Sequence, residues 1–160
     1  MAKQEKTNAM RLLEAAKIPY IMHTYPHKDG ESVDGVLVAG KLGQPIERVF
    51  KTLVTKGTSG DFAVFVIPVG EELNLKKAAK AVGEKSVEMI AVKDLLKTTG
   101  YIRGGCSPIG MKKPFQTVVH ESALLQDTII FSGGKIGFQI EMSPHDLIVF
   151  INASTADIVQ

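Results

Sequence analysis

The chain has 160 residues, 44% of them apolar, a net charge of +2 and one cysteine. That length suits one compact domain burying roughly two-thirds of its unfolded surface, and no second domain is expected. A single cysteine excludes an internal disulfide and a multi-cysteine metal site; with no apolar run long enough for a signal peptide or a membrane span, a soluble cytoplasmic protein is expected.

Thr7 or Asn8 caps a short first helix through Lys17, with Met10, Leu13 and Lys17 on one face and Pro19 as its stop. Residues 20–25, YIMHTY, read as a strand. Ser32 caps a second helix in which Val33, Val36, Leu37 and Leu42 carry the helical period, closed by the GQP at 43–45. RVFKTLVT and DFAVFVIPV then form a hairpin across KGTSG. Asn74 caps a helix of Leu75, Ala78, Ala79 and Val82 that Gly83 ends, SVEMIAV is a short strand, and KDLLKTTG is a short helix with a glycine stop. Beyond the loop at 104–114, QTVVH, TIIFS and KIGFQIEM are strands, the last two joined across Gly133-Gly134, and Ser143-Pro144 opens a final helix through Ile151. The sum is an α+β (mixed α/β) fold: about seven strands in one curved, partly barrel-like mixed sheet, with helices packed outside it.

Few residues look able to do chemistry. His23 and His27 flank a strand end, His120 and His145 stand alone, and no metal-binding spacing is present, so neither a metal nor a cofactor is expected. Lys51 stands in the apolar run VFKTLV, where an ammonium needs an anionic or hydrogen-bonding partner. It is either an edge-strand lysine reaching back to water or the lining of a pocket for a carbonyl, hydroxyl or phosphate. In GGCSPIGMKK, Gly104 and Gly105 let the main chain turn its N–H groups toward a bound oxygen, and Pro108 sets the exit; the alternative is a tight structural turn. As a nucleophile Cys106 would need a base, and only His120 is near in sequence; a lone cysteine is more often a small packed side chain. Sixteen of the nineteen basic residues are lysines, clustered at Lys76/Lys77/Lys80 and Lys112/Lys113, which allows an anionic partner such as RNA without demanding one.

In order along the chain, HTYPH, VFKTLV, LNLKKAAKAVG, TTGYIRGGCSPIGMKK, SGGK and IEM resemble the YbaK family of aminoacyl-tRNA deacylases, relatives of the editing domain of bacterial prolyl-tRNA synthetases. Gly104 and Pro108 fall on the family's G-x-x-x-P motif and Lys51 on its signature lysine; with Tyr25 and the Gly-Gly pair, the fuller match resembles the branch that clears cysteine from proline tRNA. The resemblance implies a single editing domain over residues 1–160 that deacylates mischarged Cys-tRNA(Pro), the substrate's own thiol attacking its ester to leave a cyclic thiolactone. On that reading Lys51, Gly104 and Gly105 are the catalytic set. Tyr25, Thr52, Ser107, Pro108, Ser132 and Gly133 hold the substrate, prolyl-tRNA synthetase is a transient partner, and the protein is a monomer. Where the family pattern is acidic after the SGGK turn this chain has Gln139, so recognition of the substrate's amino group is expected to differ. A deacylase for another small aminoacyl-tRNA such as Ala-tRNA(Pro), a non-catalytic module binding tRNA ends or nucleotides, and an acyl hydrolase using Cys106 are the alternatives.

Overall fold

A computed structural model describes residues 6–26 and 34–160. The Thr7 hydroxyl accepts from the Met10 N–H at 3.2 Å and starts α1 (Asn8–Ala15), whose buried face is Ala9, Met10 and Leu13. The helix stops short of Lys17, because the Ile18 N–H closes on the Leu13 carbonyl at 2.9 Å; Lys17 takes φ 60° and faces solvent instead of continuing the apolar face. After β1 (Ile21–Thr24), α2 (Gly35–Leu42) is capped by Asp34, not by Ser32: Oδ1 of Asp34 accepts from the Val36 N–H at 2.8 Å. Ser32 and Val33 lie outside the described residues, as does His27.

The hairpin forms as β2 (Phe50–Gly57) and β3 (Phe62–Pro68). Asn74 caps α3 (Leu75–Val82), accepting from the Lys76 and Lys77 N–H groups at 3.1 and 3.0 Å, and Gly83 ends it. There follow β4 (Val87–Met89), α4 (Val92–Thr99), β5 (Gln116–His120), a 3-10 turn (Glu121–Leu125), β6 (Ile129–Lys135), β7 (Phe138–Met142), α5 (Pro144–Phe150) and β8 (Ser154–Ala156). Gly133-Gly134 is not the turn between β6 and β7: β6 runs on to Lys135 with a register shift after Ser132, and the chain reverses at 136–137. Strand β8, only three residues with little apolar signal, had no counterpart in the sequence reading.

The strands form two sheets rather than one, in the orders β4-β2-β3-β5-β8 and β1-β7-β6. The larger is mixed as expected, antiparallel at β4/β2/β3 and parallel at β3/β5/β8. Phe65, Ile67 and Val118 pack on one side of it against Ala78 and Ala79 of α3. Phe131, Ile140 and Met142 of the smaller sheet pack with Met10, Leu13 and Leu147 from α1 and α5 and with Phe50, Val66 and Val119 of the larger sheet, so the two sheets and these helices share one core. The sheets meet at an isolated parallel bridge, Val49 to Ile130, where the Ile130 N–H donates to the Arg48 carbonyl at 2.9 Å.

That bridge leaves β2 with an interrupted edge. On the side away from β3 it meets β6 at Val49, and β4 only from Val54 onward, where the Ile90 N–H donates to the Val54 carbonyl at 3.2 Å. No strand among the described residues pairs with 51–53 on that side, and a cleft opens there. Replacing Asn74 by alanine, which unties two N–H groups of α3, should lower the unfolding free energy by about 1 kcal/mol in a urea titration; an unchanged midpoint would show that the cap contributes nothing.

Candidate active site

The cleft encloses about 570 Å³. One wall is β2, from Val49 to Leu53, so Lys51 lines it; another is Ser132 of β6 with Gln139 of β7, which stand opposite each other in register. Tyr25 just past β1, Asp34 and Gly35 at the start of α2, and Arg103, Gly104 and Cys106 from the long loop complete it. Lys51 is half-buried, and its side chain makes no ion pair or hydrogen bond among the described residues. β2 is an inner strand of its sheet, but its edge is open at 51–53, and there Lys51 lines the cavity.

The loop after α4 is braced from several directions. The Thr99 hydroxyl donates to the Leu95 carbonyl at 2.8 Å and accepts from the Tyr101 N–H at 3.0 Å, and the Lys112 N–H donates to the Thr99 carbonyl at 3.1 Å. The Tyr101 hydroxyl donates to the Ile109 carbonyl, closing the loop across its base. Burial, then the nearby Cys106 sulfur, pushes the Tyr101 phenol up to about 12, so it stays a donor at neutral pH. Within this frame Gly104 has φ 84°, and a Cβ on Gly105 would stand 3.3 Å from the Ile136 main-chain nitrogen, so a side chain there would crowd the β6–β7 turn. Gly105 is not an oxyanion donor here: its N–H is spent on the Ile102 carbonyl at 3.0 Å and it does not line the cleft. The Gly104 and Cys106 N–H groups make no hydrogen bond among the described residues.

Cys106 sits in the cleft wall, 8% exposed, against Val54 and Val64. Burial, only partly offset by a hydrogen bond with Thr99, pushes its thiol up to about 12, so it is neutral at physiological pH. His120 is no base for it: its Nδ1 accepts from the Ile158 N–H at 3.3 Å, beside Asp157, and it is not in the cleft wall. A further polar group extends from the cleft along one face of the small sheet, beyond Ser132 and Gln139. There His23 Nε2 meets Glu141 Oε1 at 2.6 Å and the Thr128 hydroxyl donates to Oε2 at 2.5 Å. Burial works against the Glu141 charge, but these bonds and the charges of His23 and Arg48 outweigh it and hold the carboxyl below its usual range.

Of the residues singled out in the sequence, the fold brings Lys51, Thr52, Tyr25, Ser132 and Gly104 together around one cavity. Gly105, Ser107, Pro108 and Gly133 are buried behind it; the Ser107 hydroxyl accepts from the Ile109 N–H at 3.2 Å, so these shape the loop and the bulge without lining the cleft. Sequence reasoning missed Arg103 and Asp34. Arg103 follows the helix stop and precedes the glycine pair, a position where a side chain must point out of the loop; Asp34 was hidden behind Ser32 as the rival cap.

Known proteins share this mixed α+β fold. Residues 33–150 match the family described as the aminoacyl-tRNA editing domain, and the chain belongs to that family. It is 49% identical over 155 residues, 97% of its length and 94% of the relative's, to EbsC of Enterococcus faecalis, provisionally described as a Cys-tRNA(Pro)/Cys-tRNA(Cys) deacylase. A 76-residue stretch, 48% of this chain, is 34% identical to a part amounting to 13% of the proline–tRNA ligase of Thermosipho africanus. Among solved structures, one provisionally described as a trans-editing enzyme for prolyl-tRNA synthetase shares the fold with a TM-score of 0.80, 21% identity and coverage of 98% and 99% of the two chains.

Two outcomes test the loop. Because its thiol is buried and neutral, native Cys106 should resist iodoacetamide at pH 8 and be alkylated only on unfolding; fast labelling of the folded protein would contradict the assigned environment. Tyr101→Phe, which removes the bond to Ile109, should lower stability by about 1 kcal/mol and speed that labelling, and a labelling rate equal to the unsubstituted protein's would deny Tyr101 its bracing role.

Proposed function

We propose that this chain is one editing domain that hydrolytically clears cysteine from proline tRNA, and that the substrate supplies its own nucleophile. The observation that carries this reading is the cleft's inventory: a lysine and two residues with unspent main-chain N–H groups line the cavity, while the one thiol in its wall is held neutral. The cysteinyl sulfur attacks the ester carbonyl carbon, the bond from that carbon to the ribose oxygen breaks, and the thiol proton ends on that oxygen. The products are the tRNA and a cyclic thiolactone, which water then opens to cysteine. Holding thiol and carbonyl in attack geometry accelerates such a step by proximity. The Gly104 and Cys106 N–H groups replace the expected Gly104/Gly105 pair as donors to the developing oxyanion, an interaction worth about a hundredfold or more per donor in acyl-transfer sites. Lys51 binds the carbonyl end or terminal ribose-phosphate, with Tyr25, Thr52 and Ser132 as hydrogen-bonding partners of the aminoacyl-ribose unit.

The 49% identity to a provisionally described Cys-tRNA(Pro)/Cys-tRNA(Cys) deacylase over almost the whole of both chains supports this substrate. The last strand is built into the large sheet and Leu73 bridges Val159, which supports treating the chain as one unit. No helix among the described residues is long and apolar enough to cross a membrane, in keeping with work in the cytoplasm. With a net charge of +2 the protein holds tRNA weakly, so we assign choice of tRNA to a transient complex of the monomer with prolyl-tRNA synthetase. A second reading rests on Asp34, a carboxylate in the cleft wall: as a general base it would direct a water at the ester.

A deacylation panel over Cys-, Ser-, Ala- and Pro-charged proline tRNA separates the two. Release should be much faster from Cys- than from Ser-tRNA(Pro); equal rates would replace the thiol by Asp34-directed water. Lys51→Ala should reduce kcat/KM at least about a hundredfold while Cys106→Ala leaves turnover within about twofold. Full activity of the first variant would remove Lys51 from the mechanism, and loss with the second would make Cys106 the nucleophile.

A further inference from the structure

The interrupted edge of β2 presents main-chain groups to the cleft in a defined order. In β2 the odd-numbered residues turn their N–H and C=O toward β3: the Val69 N–H reaches the Val49 carbonyl at 2.9 Å, the Gly57 N–H reaches the Asp61 carbonyl at 2.8 Å, and Lys51 and Leu53 pair with Ile67 and Phe65 between them. Even-numbered residues therefore turn theirs the other way, as the bond of the Arg48 carbonyl to Ile130 and that of the Val54 carbonyl to Ile90 confirm. Between those two bonds no strand among the described residues faces residues 51–53, so the Phe50 C=O, the Thr52 N–H and the Thr52 C=O follow one another along the cleft wall. The Thr52 hydroxyl beside them is buried and has no hydrogen-bond partner among the described residues.

Main-chain groups in the middle of a sheet are normally paired, and here they line a cleft instead, where a ligand can take the place of the missing strand. A gap this short, closed at one end by β6 and at the other by β4, cannot take an added strand, which needs several residues in register. Its partner is small and flat and offers donor, acceptor and a weak C–H donor in line. The Watson–Crick edge of adenine does so, through its N6 amino group, N1 and C2–H. Hypoxanthine, with an acceptor at O6 and a donor at N1, reverses the first two and sets like against like.

We propose that the open edge of β2 at Phe50–Thr52 is a subsite that reads adenine, the base of the substrate's terminal nucleoside. This rests on the reading of the substrate as an aminoacyl-RNA end, and it puts the base against β2 with Lys51, the neighbouring residue on the same strand, left for the sugar or phosphate. Selectivity for the base is then a property of backbone direction in one strand, not of any side chain.

The test compares cysteinyl proline tRNA ending in adenosine with the same tRNA ending in inosine. The terminal inosine should raise KM at least about tenfold with kcat within about twofold, because the lost bonds serve binding and not the reacting centre. Equal KM values would overturn the proposal, whereas failure to deacylate even the adenosine-ended substrate would overturn the functional reading instead. In a binding arm independent of turnover, AMP but not IMP should shift the Thr52 amide resonance. Identical shifts would sink the proposal, as would AMP binding there while the terminal base of the tRNA leaves KM unchanged, since the subsite would then serve free nucleotides. Thr52→Pro deletes the N–H without touching a bond to β3 and should abolish the preference for adenosine over inosine. If that variant does not fold, the substrate pair and the nucleotide titration still decide.

Discussion

Everything at the cleft depends on how β2 is paired. A strand inside a sheet satisfies its main chain on both sides, and β2 does so against β3 along its length. On the other side it is held by β6 at Val49 and by β4 from Val54, and in between by nothing among the described strands. Because the two neighbours belong to different sheets, the interruption is where those sheets part. Lys51 and Thr52 lie in it, and Ser132 of β6 lines the same gap after the single bridge at Ile130. The cavity is thus the place where a hydrogen-bond ladder stops early, which keeps its walls rigid strands while leaving polar groups for a ligand.

The second support is the loop between α4 and β5. Tyr101 and Thr99 tie its two ends together, and its middle lies against the β6–β7 turn so closely that a side chain at 105 would crowd it. That packing explains why one glycine of the pair is structural and the other, with φ 84°, faces the cavity. It also buries Cys106 next to Val54 and Val64, and burial is the largest influence on its thiol. A chemically soft side chain is thereby turned into wall, and the reacting sulfur of the proposed mechanism is one that the substrate brings.

Much of this was legible in the chain. Local chemistry with one dominant solution read correctly: the Asn74 cap and Gly83 stop of α3, the hairpin across 56–60, and the Ser143-Pro144 start of α5. Where two local signals competed, the pattern misled. Ser32 and Asp34 are both good caps, and the helix begins after Asp34. Gly133-Gly134 has the composition of a hairpin turn, yet β6 continues through it as a bulge, because its neighbours on β7 and α1 hold it: a Cβ on Gly133 would stand 3.0 Å from Met10 Cε. Strand β8 exists only because β5 offers it a parallel edge, a long-range condition that three residues of sequence cannot express.

The amino-acid sequence by itself determined most of the element types, the family to which the chain belongs, and that Lys51 and the glycine pair merit attention, since these follow from periodicity, caps and ordered motifs along the chain. Only the tertiary structure decided which groups share the cavity. It brought Arg103 and Asp34 to the cleft, moved Gly105, Ser107, Pro108 and Gly133 behind it, and spent the Gly105 N–H on Ile102. The physical reason is that a main-chain donor is available or consumed according to what lies opposite it. What lies opposite β2 at Thr52, or Gly105 in its loop, is set by contacts between segments distant in sequence.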